Sequence, residues 1–224
     1  MDDRSKEEMN KYYSHLLDVH GPNLEALGIG FETDDQQKQK FFLSSRESIP
    51  AAHHSILDVG CGLGHLCEYY RKLGWSGRYT GIDINSQMIE AAKKRLPKEE
   101  FLCADLLQDS FSKKYDYVFC ISTIQHKPKY ADGSAYLKKM IAAMFSITEK
   151  VLVFDAFTNR VEFMNDDNLY IDPVELLHFG LTLTNRLTLK HDYRPYQYMM
   201  RLYKDTSKNE QNTFAQWAEE NKIE

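Results

Sequence analysis

The chain has 224 residues, of which 42% are hydrophobic and 27% charged, and it carries a net charge of −5. That length suits one domain with a substantial core, and the acidic balance argues against strong nucleic-acid binding. The charged start MDDRSKEEMNKYY lacks a signal-type apolar region, and no run approaches a membrane span, so a cytoplasmic address with no membrane partner is expected.

Met9, Tyr12, Tyr13, Leu16 and Leu17 recur at helical spacing and predict an amphipathic helix ending near Gly21-Pro22. Thr33-Asp34-Asp35-Gln36 has capping-box form and opens a second helix carrying Phe41, Phe42 and Leu43. Residues 1–50 are therefore expected to form a helical cap. From residue 51, strand and helix signals alternate. SILDV (55–59) enters a Gly-rich turn, followed by a helix through Leu66, Tyr70 and Leu73. RYTGID (78–83) leads into a helix bearing Met88, Ile89, Ala92 and Leu96, stopped by Pro97. EFLCAD (100–105) and YDYVFCIS (115–122) are two further strands. A helix with Tyr136, Leu137, Met140, Ile141 and Met144 on one face then feeds KVLVFDAF (150–157). Five β/α steps imply a mostly parallel, doubly wound α/β sheet with helices on both faces.

The last third breaks this rhythm. Asp172-Pro173-Val174-Glu175 starts a short helix expected to reach Phe179 and end at Gly180. LTLTNRLTLK and QYMMRLYK then read as a terminal hairpin around a turn at 191–196, which sets the last strand antiparallel. The main domain is thus expected over 51–204, with 205–224 a polar tail anchored by Phe214 and Trp217. Cys61, Cys67, Cys103 and Cys120 lack ligand-like spacing, so buried thiols are expected in place of disulfides or a metal site.

Chemistry concentrates at Asp58-Val59-Gly60-Cys61-Gly62-Leu63-Gly64, where glycines let the backbone turn sharply and approach a ligand before a helix N-terminus. Nicotinamide and flavin enzymes use such turns too. Here, however, His65 stands where a dinucleotide fingerprint has its third small residue. Asp58, two residues before the first glycine, is unfavourable beside a pyrophosphate and compatible with a cationic ligand. S-adenosylmethionine (SAM) carries an ammonium and a sulfonium and has no phosphate. Further acids, Asp83 and Asp105, end the next two strands.

In order and spacing, ILDVGCGLG, YTGIDIN, FLCADLL and YDYVFCIS resemble the motif set of the class I SAM-dependent methyltransferases. The resemblance implies a Rossmann-like seven-stranded sheet, six strands parallel and the last antiparallel. It implies that Gly60, Gly62 and Gly64 line the methionine part of SAM and that Asp83 accepts from both ribose hydroxyls, with Ile84 and Met88 beside the ring. Asp105 would bind the adenine amino group, with Leu106 against its face and Ala104 and Ile121 completing the cofactor set. Lys40 matches the position where some small-molecule methyltransferases place a basic residue on the SAM carboxylate; it reads equally as a solvated helix lysine. The product would be S-adenosylhomocysteine (SAH).

Ligands of open α/β sheets sit beyond the carboxyl ends of the strands. His126, just after the fourth strand, is the leading candidate base, and His191 beside Asp192 is the second. Tyr12 and Tyr13 would roof the acceptor, and Lys127, Lys129, Tyr193 and Arg194 could contact it. Residues 122–126 read Ser-Thr-Ile-Gln-His, without the Pro-Pro-aromatic segment of nucleobase amino-methylating enzymes. A small-molecule acceptor, O-methylated in preference to N-methylated, is therefore expected. A catalytically silent SAM-binding module and a nicotinamide oxidoreductase remain the alternatives.

Overall fold

The computed structural model describes residues 3–28, 34–46 and 50–205. The capping residue Thr33 and the tail anchors Phe214 and Trp217 lie outside the described residues.

Seven long strands and one short one form a single sheet. They are β1 (Ser55–Val59), β2 (Arg78–Asp83), β3 (Glu100–Cys103), β4 (Tyr115–Cys120), β5 (Thr148–Thr158), β6 (Tyr170–Ile171), β7 (Leu187–Arg194) and β8 (Gln197–Tyr203). The order is β3-β2-β1-β4-β5-β8-β7, with the two-residue β6 pairing to β5 off this path. Strands β1 to β6 pair in parallel, whereas β8 runs antiparallel to both β5 and β7. The expected six-plus-one arrangement is present, and β6 is an addition that two residues could not signal by periodicity.

Both faces of the central strands are covered, which explains why β1 and the middle of β5 read as largely apolar runs. Along β1, Ile56 faces one core and Leu57 and Val59 the other. The first core is packed by helices α3 (His65–Lys72) and α4 (Ser86–Arg95), through Leu66, Tyr70, Ile89 and Ala92. The second is packed by α5 (Gly133–Ser146) and α6 (Pro173–Leu183), through Leu137, Ile141, Met144 and Leu176. Truncating a fully buried residue such as Leu57 to alanine removes about 2–5 kcal/mol of stability.

The structure departs from expectation in three places. Helix α6 continues through Gly180 to Leu183, because a Cβ at Gly180 would meet Leu187 and Met200 at 3.0 and 3.3 Å. That glycine lets the helix lie close on the sheet; it is no terminator. Between β3 and β4 there is no helix but a turn, in which the Asp105 carboxylate accepts the Leu107 amide and Asp109 accepts the Asp105 amide. Cys103 is exposed, unlike the buried Cys61, Cys67 and Cys120.

Helix α1 (Asp3–His20) and a 3₁₀ turn (Leu24–Leu27) lie over α4, where Tyr13, Leu17 and Leu27 pack on Leu63 and Met88. Helix α2 (Asp34–Ser45) is held to the sheet by the buried Arg201, whose guanidinium donates to the Leu43 carbonyl. Among the described residues no helix is long and apolar enough to cross a membrane.

Candidate active site

Strand order reverses at β1, between β2 and β4, and this switch point opens a crevice at the carboxyl edge. The turn leaving β1 has three glycines with left-handed backbones: Gly60 (φ 73°), Gly62 (φ 50°) and Gly64 (φ 79°). They are not equivalent. A Cβ at Gly60 would stand 2.0 Å from Thr123 Cγ2, so this turn and the loop after β4 are in direct apposition. At Gly64 the neighbours are Phe101 and Leu96, and the residue does not line the crevice; it lets α3 pack.

A cavity partly open to solvent runs from the turn along the ends of β2 and β3. Asp58, Asp83 and Asp105 line it, and among the described residues no lysine or arginine does. Asp83 Oδ2 accepts the Gly62 amide at 3.0 Å and Oδ1 accepts the Asn85 amide at 2.9 Å. Burial holds this carboxyl above its usual range, while those amide bonds pull the other way. Each ionised oxygen still has acceptor capacity for a ligand hydroxyl. Asp58 is buried beneath the turn and takes the Tyr79 hydroxyl at 2.7 Å. Burial pushes its pKa up to about 7, with Tyr79 opposing and the Asp83 charge adding. Asp105 Oδ2 lies 3.2 Å from Lys6 Nζ, an ion pair between the end of β3 and helix α1.

Ile84, Met88, Ala104, Leu106 and Ile121 supply apolar walls, at the positions expected. Gln37, Phe41, Thr123, Tyr136 and Met140 also line the cavity, and sequence reasoning missed them in this role. Tyr136 and Met140 share the helix face that reads as core; nothing in the local pattern of Thr123 marks it.

Lys40 stands elsewhere than expected. It is not part of the cavity lining: its Nζ donates to Ser122 Oγ at 2.8 Å and lies 3.8 Å from Asp155 Oδ2, with the side chain 1% exposed. A buried ammonium needs a carboxylate nearby, and the fully buried Asp155 provides it. Asp155 also accepts the Ser122 amide at 2.6 Å and the Gln125 side chain at 2.8 Å. These bonds hold Ser122 at φ 60°, a left-handed conformation rare for a residue with a Cβ and one that concentrates at functional sites.

A second cavity adjoins the first, sharing Tyr13, Leu27, Ser122 and Thr123 with it. His126 lines this outer space, its ring stacked on Tyr12 with centroids 5.8 Å apart. Burial pulls the His126 pKa below its ordinary value, with Asp167 opposing and Lys129 reinforcing, so the imidazole is neutral near pH 7. Lys129 lines the same space but is paired with Glu8 at 3.2 Å.

Four other expected residues lie outside both cavities. His191 is exposed on β7, edge-on to Tyr198 with centroids 5.8 Å apart. The hairpin extends further than the sequence implied: β7 runs through Arg194, which leaves only Pro195-Tyr196 as the turn and carries His191 along the strand. Tyr193 packs against the α3-side core. Arg194 donates to the Gln36 carbonyl at 2.9 Å and to the Tyr196 hydroxyl at 3.2 Å. Lys127 is exposed.

Comparison with known proteins agrees with this architecture. Residues 56–146 match the model of a methyltransferase domain. The chain is 28% identical over 189 residues to the ubiquinone biosynthesis O-methyltransferase of Pasteurella multocida, covering 71% of this chain and 77% of that protein. It is 35% identical over 104 residues to the malonyl-[acyl-carrier protein] O-methyltransferase of Acetivibrio thermocellus, covering 46% of this chain and 35% of that one. Several curated relatives are matched over only 27% to 35% of their own length. Among solved structures, the magnesium protoporphyrin IX methyltransferase of Synechocystis with bound SAM superimposes with a TM-score of 0.63. That pair is 17% identical, and the match covers 92% of this chain and 98% of the other.

Proposed function

We propose that this chain, which belongs to the class I SAM-dependent methyltransferases, binds SAM in the carboxylate-lined cavity and methylates a small molecule held in the adjoining one. One observation carries the reading: among the described residues, three carboxylates and no lysine or arginine line the inner cavity. That set fits a ligand with an ammonium and a sulfonium, and opposes the pyrophosphate of a nicotinamide nucleotide.

In this reading the Gly60 and Gly62 backbones and Asp58 take the methionine end. Asp83 accepts from the ribose hydroxyls and Asp105 from the adenine amino group, displacing Lys6. Ile84, Met88, Ala104, Leu106 and Ile121 enclose the rings. Residues 1–50 act as the cap and 51–204 as the catalytic domain. When bound, SAM supplies an electrophilic methyl group and leaves as SAH. The protein's task is alignment: the shared residues Tyr13, Leu27, Ser122 and Thr123 bound the passage through which the acceptor atom must approach. A hydroxyl acceptor is preferred to an amine, its proton passing to the neutral imidazole of His126 as the oxygen is alkylated.

Calorimetric titration with SAM, SAH and NADH tests the cofactor, and a 14-Da mass gain in acceptor pools tests transfer. Binding of NADH without SAM would overturn the reading; SAM binding with no acceptor turned over would leave a cofactor-binding module instead.

A further inference from the structure

Two groups of aromatic rings line the outer cavity. In one, His126 stacks on Tyr12 with an interplanar angle of 23°. In the other, Phe157 stacks on Tyr170 at 5.5 Å and 27°, and Tyr196 tilts against Phe157 at 6.1 Å. All five residues line the same space. Among its described lining residues two acids, Glu8 and Asp167, outnumber one lysine, Lys129, which stands 3.2 Å from Glu8. A carboxylate or phosphate would therefore enter a net-negative lining, while a flat ring would find π faces. The rest of the lining, including Gln36, Gln125, Asn165 and Asn168, is neutral and polar, suited to ring substituents.

From this arrangement we infer that the methyl acceptor is a planar aromatic compound without negative charge, inserted between the Tyr12–His126 and Phe157–Tyr170 walls with a ring hydroxyl at the Ser122–Thr123 passage. The inference rests on the acceptor site assigned above and narrows its substrate class. The balance is that of any hydroxyl methylation: an oxygen–carbon bond forms, the carbon–sulfur bond of SAM breaks, and the hydroxyl proton passes to His126. Phe163, 80% exposed, lies at the margin of the same cavity, where an incoming ring would first meet apolar surface.

The test uses the whole chain saturated with SAH and three probes of similar size: 2-naphthol, its anionic counterpart 2-naphthoate, and the non-planar alcohol 2-decalol. Dissociation constants come from calorimetry or ligand-observed NMR. 2-Naphthol is expected to bind about tenfold or more tightly than either other probe, since one aromatic contact is worth roughly 0.5–1.5 kcal/mol, or about two- to tenfold. Phe157→Leu and Tyr170→Leu should each weaken naphthol binding by about fivefold and leave the SAH constant unchanged, which also shows that the variants fold. Equal binding of 2-naphthoate or 2-decalol, or naphthol affinity indifferent to both substitutions, would overturn the proposal. If SAH itself fails to bind, the cofactor assignment falls. Naphthol titrated against the unliganded protein and the two variants then still decides the aromatic site.

Discussion

The amide of Gly62 donates to the carboxylate of Asp83 at 3.0 Å, so the turn after the first strand is tied to the end of the second before any ligand arrives. Asp83 therefore has two tasks, holding the turn and accepting ligand hydroxyls. Asp83→Ala should weaken SAM binding by about 1–3 kcal/mol, the cost of leaving buried polar groups unpaired. Asp83→Asn should restore part of the loss, since its amide oxygen can still accept from Gly62. Calorimetry on both variants is the measurement, and an alanine variant with unchanged affinity would remove the ribose assignment.

Asp58 leads to a pH prediction. Its folded pKa is raised to about 7 by burial, well above the ordinary aspartate range. A raised carboxyl favours the folded state when protonated, so this contribution is full at pH values below the ordinary aspartate pKa and is lost as pH rises through about 7. Stability of the ligand-free protein should therefore decline across that window, and Asp58→Asn should flatten the decline. A cationic ligand draws the group toward its ionised form, so SAM binding near pH 7 should release a proton. The buffer dependence of the binding enthalpy reads that release directly, and it should be smaller in Asp58→Asn.

The glycines offer a graded comparison. Gly74 has φ 81° with nothing within 4 Å of its would-be Cβ, so Gly74→Ala meets only the left-handed backbone cost of about 1–2 kcal/mol. Gly60→Ala meets the same cost and must also expel Thr123 from a position 2.0 Å away. Thermal unfolding should show the larger loss at Gly60. SAM binding should disappear there and survive at Gly74.

If Lys40 serves the Asp155 network, its loss is structural before it is catalytic. Lys40→Met should cost about 3–5 kcal/mol of stability by stranding a buried carboxylate, and Lys40→Met with Asp155→Leu should recover part of it. Denaturant unfolding of the single and double variants is the measurement. A stability-neutral Lys40→Met with weakened SAM affinity would return the residue to the role of a carboxylate grip.

His126→Ala should lower kcat by about 10²–10⁴-fold with little change in SAM affinity. The wild-type rate should fall on the acid side below the ~6.5 of a free imidazole, because burial lowers this pKa. An acid limb at or above that value would mean another group titrates.

Strands β1 and β2 were legible because they are largely buried and punctuated by glycine or a capping acid, and both match at both ends. The inner site was legible for the same reason, its acids standing at strand ends. What escaped depends on tertiary packing. Gly180 reads as a stop because nothing local shows Leu187 and Met200 beneath it. Lys40 reads as a surface residue or a ligand grip because its partner lies 115 positions away in sequence, at the far end of β5. His191 reads as a turn residue until the hairpin is seen to run to Arg194. The walls of the outer cavity come from α1, the loop after β4, β5, β6 and the hairpin turn, and no window of sequence spans that set.

The position of β8 also governs the order in which the molecule can be made. This strand is the last described one in sequence, yet it sits inside the sheet between β5 and β7, pairing Val151–Phe157 with Tyr203–Gln197. While the polypeptide leaves the ribosome, that edge of β5 stays bare until some forty further residues have followed. The segment Val-Leu-Val-Phe-Asp-Ala-Phe is strongly β-forming and nearly uncharged, the composition that recruits other chains when its backbone is unpaired. Nascent or C-terminally shortened forms are thus expected to be the aggregation-prone species of this protein, with β8 the built-in stopper that ends the hazard when synthesis reaches it.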